Sequence, residues 1–202
     1  MWCWNNQGSP LTPESLLFVN PEIAEQKPSY TSYLPGMGYA VLRDRFGAPD
    51  ETFMNEAIAE AKKALLRGDI PVGAVVVYDG KVIGRGHNMR EATGDPTAHA
   101  EMLALRQAAL SIGHWRLIGC TLYVTLEPCP MCAGAIINGR VDRVCFGAYD
   151  PKAGCCGTLY DLTGDRKFNH HPVADGGVLE SECAKLLKDF FSEKRAAQKE
   201  EK

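Results

Sequence analysis

The sequence predicts an α/β protein in which helices cover a mixed β-sheet of about five strands. From Asp50 onward, segments with a helical apolar period alternate with segments of strand composition. Two strand segments joined by Asp79 and Gly80 form a hairpin pattern, which predicts an antiparallel pair. Two later strand segments are separated by a helical crossover, which predicts a parallel pair. A sheet with both kinds of pair is mixed.

The first predicted elements are a helix and the hairpin. Asp50 is a candidate N-cap for a helix that ends before Gly68. Its apolar stripe comprises Phe53, Ala57, Ile58, Ala61 and Leu65. The hairpin strands are "VGAVVVY" and "KVIGRGH", which flank the two-residue turn.

The later elements follow the same alternation. A second helix is predicted over residues 99–110, a strand over 120–127, and a short helix from Pro128 to about Asn138. A strand over 142–150 comes next, and a fifth strand is expected near 173–179. The last helix is predicted to bury one face, formed by Cys183, Leu186, Leu187, Phe190 and Phe191.

Residues 1–48 differ in character from the rest of the chain. Five prolines interrupt any helical period there, and "PGMG" is a loop signal. We expect an irregular extension, with a short helix near 13–18, that carries no identifiable chemistry. The domain is therefore predicted to span residues 49–202.

Composition narrows the class of protein. The 202 residues are 45% hydrophobic and 23% charged, as in an ordinary soluble domain. No apolar run approaches the roughly 18 residues of a membrane span, and no secretory signal pattern is present, so we expect a cytoplasmic protein with no membrane association. The net charge of −3 argues against a nonspecific nucleic-acid coat protein but allows a local basic patch.

The stretch "DPTAHAEMLALRQAA" places His99 and Glu101 two residues apart at the start of a helix. At about 100° per residue, such a pair would lie on nearly opposite faces of a helix interior. Both side chains can reach one pocket only if that pocket lies beneath the first turn. The alternative is that one of the two residues has no function.

The stretch "TLEPCPMCAGAII" places Cys129 and Cys132 three residues apart near a predicted helix start, where the helix dipole favours thiolates. With His99 they form a three-ligand set that predicts one catalytic Zn²⁺ per chain and leaves Glu101 beside the metal. We interpret Cys120, Cys145 and Cys183 as core residues. The neighbouring loop cysteines 155 and 156 remain the alternative that would close a structural zinc site.

These motifs, together with "PTAHAE" and "RVDRVCFGAYDPKAG", resemble the bacterial tRNA-specific adenosine deaminases of the cytidine/deoxycytidylate deaminase superfamily. The resemblance runs from about residue 52 to the tail and does not cover the first 48 residues or the paired cysteines 155 and 156. It implies a cytidine-deaminase-like three-layer α/β/α sandwich and a homodimer. It also implies hydrolytic deamination of adenosine to inosine at the wobble position of a tRNA anticodon stem-loop.

Particular residues acquire expected roles from the chemistry and the resemblance. Glu101 is expected to shuttle the proton of a zinc-activated water. The resemblance implies that Asn88 holds the base and that the loop of Asp150 approaches the substrate, whereas the residue patterns alone allow a turn-former and a polar loop. Phe191 is expected near the nucleotide by resemblance and in the core by its helical spacing.

Two other functions fit parts of the same pattern. A noncatalytic, zinc-stabilised partner subunit would need the metal ligands but not the carboxylate of Glu101. A deaminase of guanine, cytidine or dCMP would share the "HAE" and "PCxxC" parts. The region around Asn88 and the stretch "GAYDPKAG" favour the tRNA enzyme over these free-base and nucleotide deaminases.

Overall fold

The structure is a computed structural model that describes residues 50–200. The predicted extension over residues 1–48, including the short helix near 13–18, lies outside the described residues. The elements are α1 (Asp50–Leu65), β1 (Gly73–Tyr78), β2 (Lys81–His87), α2 (Arg90–Thr93), α3 (Ala100–Ile112), β3 (Cys120–Leu126), α4 (Pro130–Asn138), β4 (Arg143–Ala148), β5 (Val173–Gly176) and α5 (Glu180–Glu200).

The five strands form one mixed sheet in the order β2-β1-β3-β4-β5. Strand β1 is antiparallel to both β2 and β3, whereas β3, β4 and β5 run parallel. The hairpin turn has positive φ at Asp79 (48°) and Gly80 (72°), which is the backbone of a tight two-residue hairpin turn. The predicted mixed sheet of about five strands is confirmed.

Helices cover both faces of the sheet, because its central strands are apolar on both sides. On one face, Val76, Leu122 and Val144 pack in a core with residues of α3 and α4. On the other face, Val75 and Tyr123 pack with α1 and with Cys183 of α5. Successive strand residues point to opposite faces, so each central strand contributes to both cores. The result is the expected three-layer α/β/α sandwich.

Two glycines of β2 allow α3 to approach the sheet closely. A Cβ on Gly84 would lie 2.3 Å from the backbone oxygen of Ala104, and one on Gly86 would lie 2.3 Å from that of Ala100. Any side chain at either position would push the helix away from the strand. Since Ala100 is the first residue of α3, Gly86 sets the distance between the sheet and the start of that helix.

A network of hydrogen bonds connects the start of helix α1 to the sheet. Asp50 is the first residue of the helix rather than its N-cap, and its carboxylate accepts two hydrogen bonds from Arg143, at 2.7 and 2.8 Å. The same carboxylate accepts a hydrogen bond from the Tyr123 hydroxyl at 2.8 Å. Arg143 also donates to Asp175 of β5 at 2.7 Å, so one guanidinium joins α1, β4 and β5.

Helix α4 begins two residues later than the sequence predicts. The expected start at Pro128 is wrong because Cys129 precedes Pro130 and adopts an extended backbone (φ −72°, ψ 173°). A residue before proline is sterically disfavoured in the helical region, whereas proline itself fits the first helical position. Cys129 is therefore the N-cap of α4, and only Cys132 lies within the helix.

The prediction that α5 buries a continuous apolar face is only partly right. Cys183 is buried and Leu186, Leu187 and Phe190 are half-buried, but Phe191 is 40% exposed. The expected core position of Phe191 is therefore wrong. The contacts of α5 with the sheet are made to β3 and β4, and its second half extends as an exposed helix to Glu200. Within the described residues, no helix is both long enough and apolar enough to cross a membrane.

The close approach of α3 to β2 predicts that one added methyl group lowers stability. Gly86→Ala should lower the free energy of unfolding by about 1–3 kcal/mol, because its Cβ overlaps the backbone of Ala100. The control is Gly134→Ala in α4, where an added Cβ meets no atom within 4 Å and should stabilise the helix by up to about 1 kcal/mol. Urea unfolding of both variants measures the difference. Equal stability of the two would contradict the role of Gly86.

Candidate metal centre and active site

The first ligand is placed by the start of α3. His99 is the N-cap, with an extended backbone (φ −76°, ψ 153°), and its side chain makes no capping hydrogen bond. The angle of about 100° between successive residues of a helix interior therefore does not apply to His99. Glu101 is the second helical residue and is 3% exposed. The two side chains can thus lie beside one another despite their separation of two residues.

The other two ligands are placed by the start of α4. Cys129 is the N-cap, also without a side-chain capping bond, and Cys132 lies in the first turn. The Sγ atoms of Cys129 and Cys132 lie 3.7 and 3.6 Å from Nδ1 of His99. The N-termini of α3 and α4 therefore meet at one point, and both helix dipoles favour negative charge there.

The donor set and its dimensions fit a zinc ion. The three ligand atoms of His99, Cys129 and Cys132 lie within 4.8 Å of one another. Tetrahedral zinc with Zn–N of about 2.1 Å and Zn–S of about 2.3 Å requires N and S ligand atoms about 3.5 Å apart. The observed separations of 3.6 and 3.7 Å meet that requirement, and Nδ1 of His99 is the nitrogen that faces the thiols.

The electrostatics of the group favour a thiolate. Hydrogen bonding with Cys132 is the main reason that the pKa of Cys129 falls to about 4. The same hydrogen bond, together with burial, raises the pKa of Cys132, so the pair holds one proton between them. The hydrogen bond to Cys129 also raises the pKa of His99. A bound divalent cation would take the place of these protons.

Glu101 lies beside the ligand group rather than within it. Burial raises the pKa of its carboxyl to about 6, and the charges of Cys129 and His99 act on it in opposite directions. Its Oε2 is buried and has no hydrogen-bond partner among the described residues. A buried oxygen without a partner is costly unless a ligand or water uses it. Oε2 of Glu101 is therefore available to a ligand or a water.

The other cysteines do not complete a four-ligand site. Within residues 50–199, the metal-compatible group consists of His99 and the two cysteines of the α4 turn. Cys155 is buried, but its thiol donates to the carbonyl of Ala153 at 3.4 Å and its backbone N–H donates to Pro128. The hypothesis of a closed structural site is not supported by this geometry. Cys120, Cys145 and Cys183 are core residues, as predicted.

A backbone hydrogen bond joins the segment of Asn88 to the segment of His99. The residue after Asn88, Met89, donates its N–H to the carbonyl of Ala98, which directly precedes His99. Asn88 is buried, and its Nδ2 donates to Oδ1 of Asp69 at 3.2 Å. Asp69 was not identified from the sequence. Its only signal is a charged residue between the turn at Gly68 and an apolar strand.

Asp150 lies outside the group formed by His99, Cys129 and Cys132. Its carboxylate accepts a hydrogen bond from the N–H of Lys152 at 2.9 Å, within its own loop. Its N–H donates to Glu127, which is 2% exposed and also accepts from Cys156 and Thr158 at 3.0 Å. Glu127, which the sequence analysis also missed, therefore joins this loop to the strand that leads into Cys129.

Phe191 lines a surface groove of about 300 Å³ rather than the core. We call this cleft the α5 groove; it lies between α5, α2 and residues 68–70, and its lining includes Arg90, Lys194, Arg195 and Glu91. Three cations face one carboxylate there, and Arg90 pairs with Glu91 at 3.2 Å. Arg90 is near enough to the metal group for its charge to oppose protonation of His99.

The region that contains this site matches the model of a known protein family. The cytidine and deoxycytidylate deaminase zinc-binding region matches residues 48–148, which include the three ligands and Glu101. The chain belongs to this deaminase family. Zinc is therefore the cofactor, and the deaminase fold expected from the sequence is confirmed.

Curated relatives share nearly their full length with this deaminase. A tRNA-specific adenosine deaminase from Bacillus subtilis is 54% identical over 150 residues, which are 74% of this chain and 93% of that protein. A tRNA-specific adenosine deaminase from Haemophilus influenzae is 47% identical over 167 residues, which are 82% of this chain and 95% of the relative. The resemblance drawn from the motifs is thus confirmed.

Solved structures give the same fold. One from a study of A-to-I editing by tRNA:A34 deaminases superposes with a TM-score of 0.65 and 43% identity, covering 67% of this chain and 99% of that one. The guanine deaminase of Bacillus subtilis superposes with a TM-score of 0.50 and 40% identity, covering 57% and 74%. Deaminases of two substrate classes therefore share this architecture.

The ligand geometry predicts which variant loses zinc. His99→Ala should weaken zinc binding by more than the roughly 10–100-fold typical of outer-shell changes, because it removes one of three ligands. Cys155→Ala, which removes a buried thiol outside the ligand group, should keep one zinc per chain. Elemental analysis after dialysis against a weak chelator measures both. Full occupancy in His99→Ala, or loss in Cys155→Ala, would favour a structural site.

Proposed function

We propose that this protein deaminates adenosine to inosine at the wobble position of a tRNA anticodon stem-loop. The observation that carries the proposal is the three-ligand site with the buried carboxylate of Glu101 beside it, whose Oε2 has no hydrogen-bond partner among the described residues. The 54% and 47% identical relatives are named tRNA-specific adenosine deaminases, which supports the choice of substrate. The reaction replaces the exocyclic amine of the base with an oxygen from water and releases ammonia.

His99, Cys129 and Cys132 would hold the zinc in this reaction. A zinc ion held there supplies the Lewis acidity that allows water to act as a nucleophile near neutral pH. Glu101 would take one proton of that water and deliver it to the ring nitrogen. It would then move the second proton, from the new hydroxyl group on the carbon, to the amine, which leaves as ammonia. Its burial suits this shuttle, because a carboxyl with a pKa of about 6 can both accept and release a proton near neutrality.

Asn88 holds the flipped base in this proposal, and the loop of Asp150 approaches the neighbouring nucleotides. A base in an RNA loop leaves its stack at lower cost than one in a duplex, so a stem-loop suits an enclosed pocket. Phe191 in the α5 groove offers an exposed ring for contact with a nucleotide. Arg90, Lys194 and Arg195 provide the positive charge that a phosphate backbone requires.

Two further functions are disfavoured. A deaminase of free guanine shares the fold at 40% identity, but a free base would not need the cations of the α5 groove. A noncatalytic partner subunit would not need Glu101, whose buried Oε2 lacks a partner and costs stability. The adenosine stem-loop accounts for both features.

We also propose a homodimer in the cytoplasm. Large apolar side chains that are exposed in the single chain, including Trp115 and Tyr160, support an interface. The seven cysteines of the described region are free thiols, which supports a reducing compartment. Sedimentation velocity tests the dimer.

We further propose that the deaminase domain spans residues 49–202 and that residues 1–48 lie outside it. The family match begins at residue 48, and α1 begins at Asp50 with its own polar anchors. Both starts lie within two residues of the proposed boundary.

The substrate assignment predicts a pattern of activities. The zinc-loaded protein should convert adenosine in an anticodon stem-loop and leave free guanine and cytidine unchanged. Glu101→Gln should bind zinc normally and lose roughly 10²–10⁴-fold in kcat, because only proton transfer is removed. Chromatography of the digested RNA measures inosine. Turnover of free guanine without any on the stem-loop would overturn the substrate, and activity of Glu101→Gln within about threefold of wild type would overturn the role of Glu101.

The α5 groove predicts a salt dependence of RNA binding. The logarithm of the stem-loop affinity should fall with the logarithm of salt concentration, and Lys194→Gln or Arg195→Gln should each reduce that slope by about 0.7. The matched control is Lys185→Gln on the same helix, since Lys185 lies outside the groove and pairs with Asp189 at 2.5 Å. Fluorescence anisotropy at several salt concentrations gives the slopes. Equal slopes in all four proteins would show that the groove does not bind RNA.

A further inference from the structure

Asp69 is a buried carboxylate that the metal chemistry does not use. It is 0% exposed and lies in the connection between α1 and β1. Its Oδ1 accepts from Nδ2 of Asn88 at 3.2 Å and from the N–H of Glu91 at 3.0 Å. Its Oδ2 accepts from the N–H of Ala92 at 3.0 Å. The carboxylate is therefore hydrogen-bonded on both oxygens.

The hydrogen bonds of Asp69 constrain the orientation of the Asn88 amide. Oδ1 and Oδ2 of Asp69 both accept from N–H groups, so the NH₂ group of Asn88, and not its oxygen, faces Asp69. Among the described residues, no donor is bonded to Oδ1 of Asn88. Its amide oxygen and second N–H are consequently left for a ligand. The backbone of Asn88 is held separately, by its N–H to the carbonyl of Val72 at 2.9 Å.

We propose that Asp69 is a positioning residue that fixes the amide of Asn88 in the orientation that receives the substrate base. The inference rests on the proposed function, in which Asn88 contacts the flipped nucleotide. Asp69 also holds the first turn of α2 through Glu91 and Ala92, so one carboxylate sets both the amide and the segment that follows it. Its three hydrogen-bond partners lie outside the ligand group.

The isosteric variant Asp69→Asn separates shape from hydrogen bonding. An asparagine at position 69 has one acceptor atom for three donors, and its NH₂ group opposes either the Asn88 amide or the N–H of Ala92. If the NH₂ group at position 69 faces Asn88, the Asn88 amide rotates by 180°. Asn88 then presents its NH₂ group to the ligand instead of its oxygen. Zinc binding should not change, because Asp69 lies outside the ligand group.

A double-mutant cycle on kcat/KM tests the proposal. Asn88→Ala should reduce kcat/KM on the stem-loop by about 10–100-fold and Asp69→Asn by about tenfold, the range expected for one lost buried hydrogen bond. If Asp69 acts through Asn88, the double variant should lie within about threefold of Asn88→Ala alone. Independent effects would multiply, and that result would overturn the proposal.

The matched control is Tyr123→Phe, which removes a hydrogen bond to Asp50 at the α1 face of the sheet. Combined with Asn88→Ala, it should change kcat/KM by the full product of the two single effects, as expected for independent sites. Asp69→Ser, whose hydroxyl still accepts a hydrogen bond, replaces Asp69→Asn if the latter does not fold. Failure of both variants to fold would assign Asp69 to general stability and overturn the proposal.

The double-mutant cycle tests the role of Asp69 separately from the proposed substrate. An enzyme that turns over guanine but not the stem-loop would overturn the proposed function, and the same cycle would then be measured with guanine. Multiplicative effects on a stem-loop that the wild type deaminates would overturn only the role of Asp69. Zinc content, measured for each variant, excludes loss of metal as the cause of any change.

Discussion

The meeting of two helix N-termini is the constraint on which the site depends. His99 and Cys129 are both N-caps with extended backbones, so each can turn its side chain toward the point where α3 and α4 begin. That point is set by the sheet, because Gly84 and Gly86 let α3 lie directly against β2. The unpaired backbone N–H groups and dipoles of both helices then favour the thiolates that bind zinc.

The buried carboxylates near the N-termini of α3 and α4 differ in their hydrogen bonding. Asp69 and Glu127 each accept three hydrogen bonds, and each holds a loop against an element that leads into the site. Glu101 is equally buried, but its Oε2 is left without a partner among the described residues. Satisfied carboxylates add rigidity, whereas an unsatisfied one costs stability and remains free to react.

Substrate choice has to be made away from the zinc ligands. A guanine deaminase and a tRNA:A34 deaminase both superpose on this chain, so the metal centre alone does not separate a free base from a nucleotide in RNA. The proposed function assigns that choice to two features outside the ligand group. They are the buried amide of Asn88, bonded to Asp69, and the α5 groove, where Phe191 lies beside three cations.

The five strands, the four longer helices, the hairpin at Asp79 and the three candidate zinc ligands were predicted from the sequence, because each strand, helix and ligand motif is a pattern within a short segment. The four-residue helix α2 was not predicted. The sequence did not reveal Asp69 or Glu127, whose partners lie up to 31 residues away in the chain. It also misplaced Phe191, because helical spacing shows which residues share a face but not where the covering sheet ends. Only tertiary packing decides which buried charge finds partners and which apolar face stays exposed.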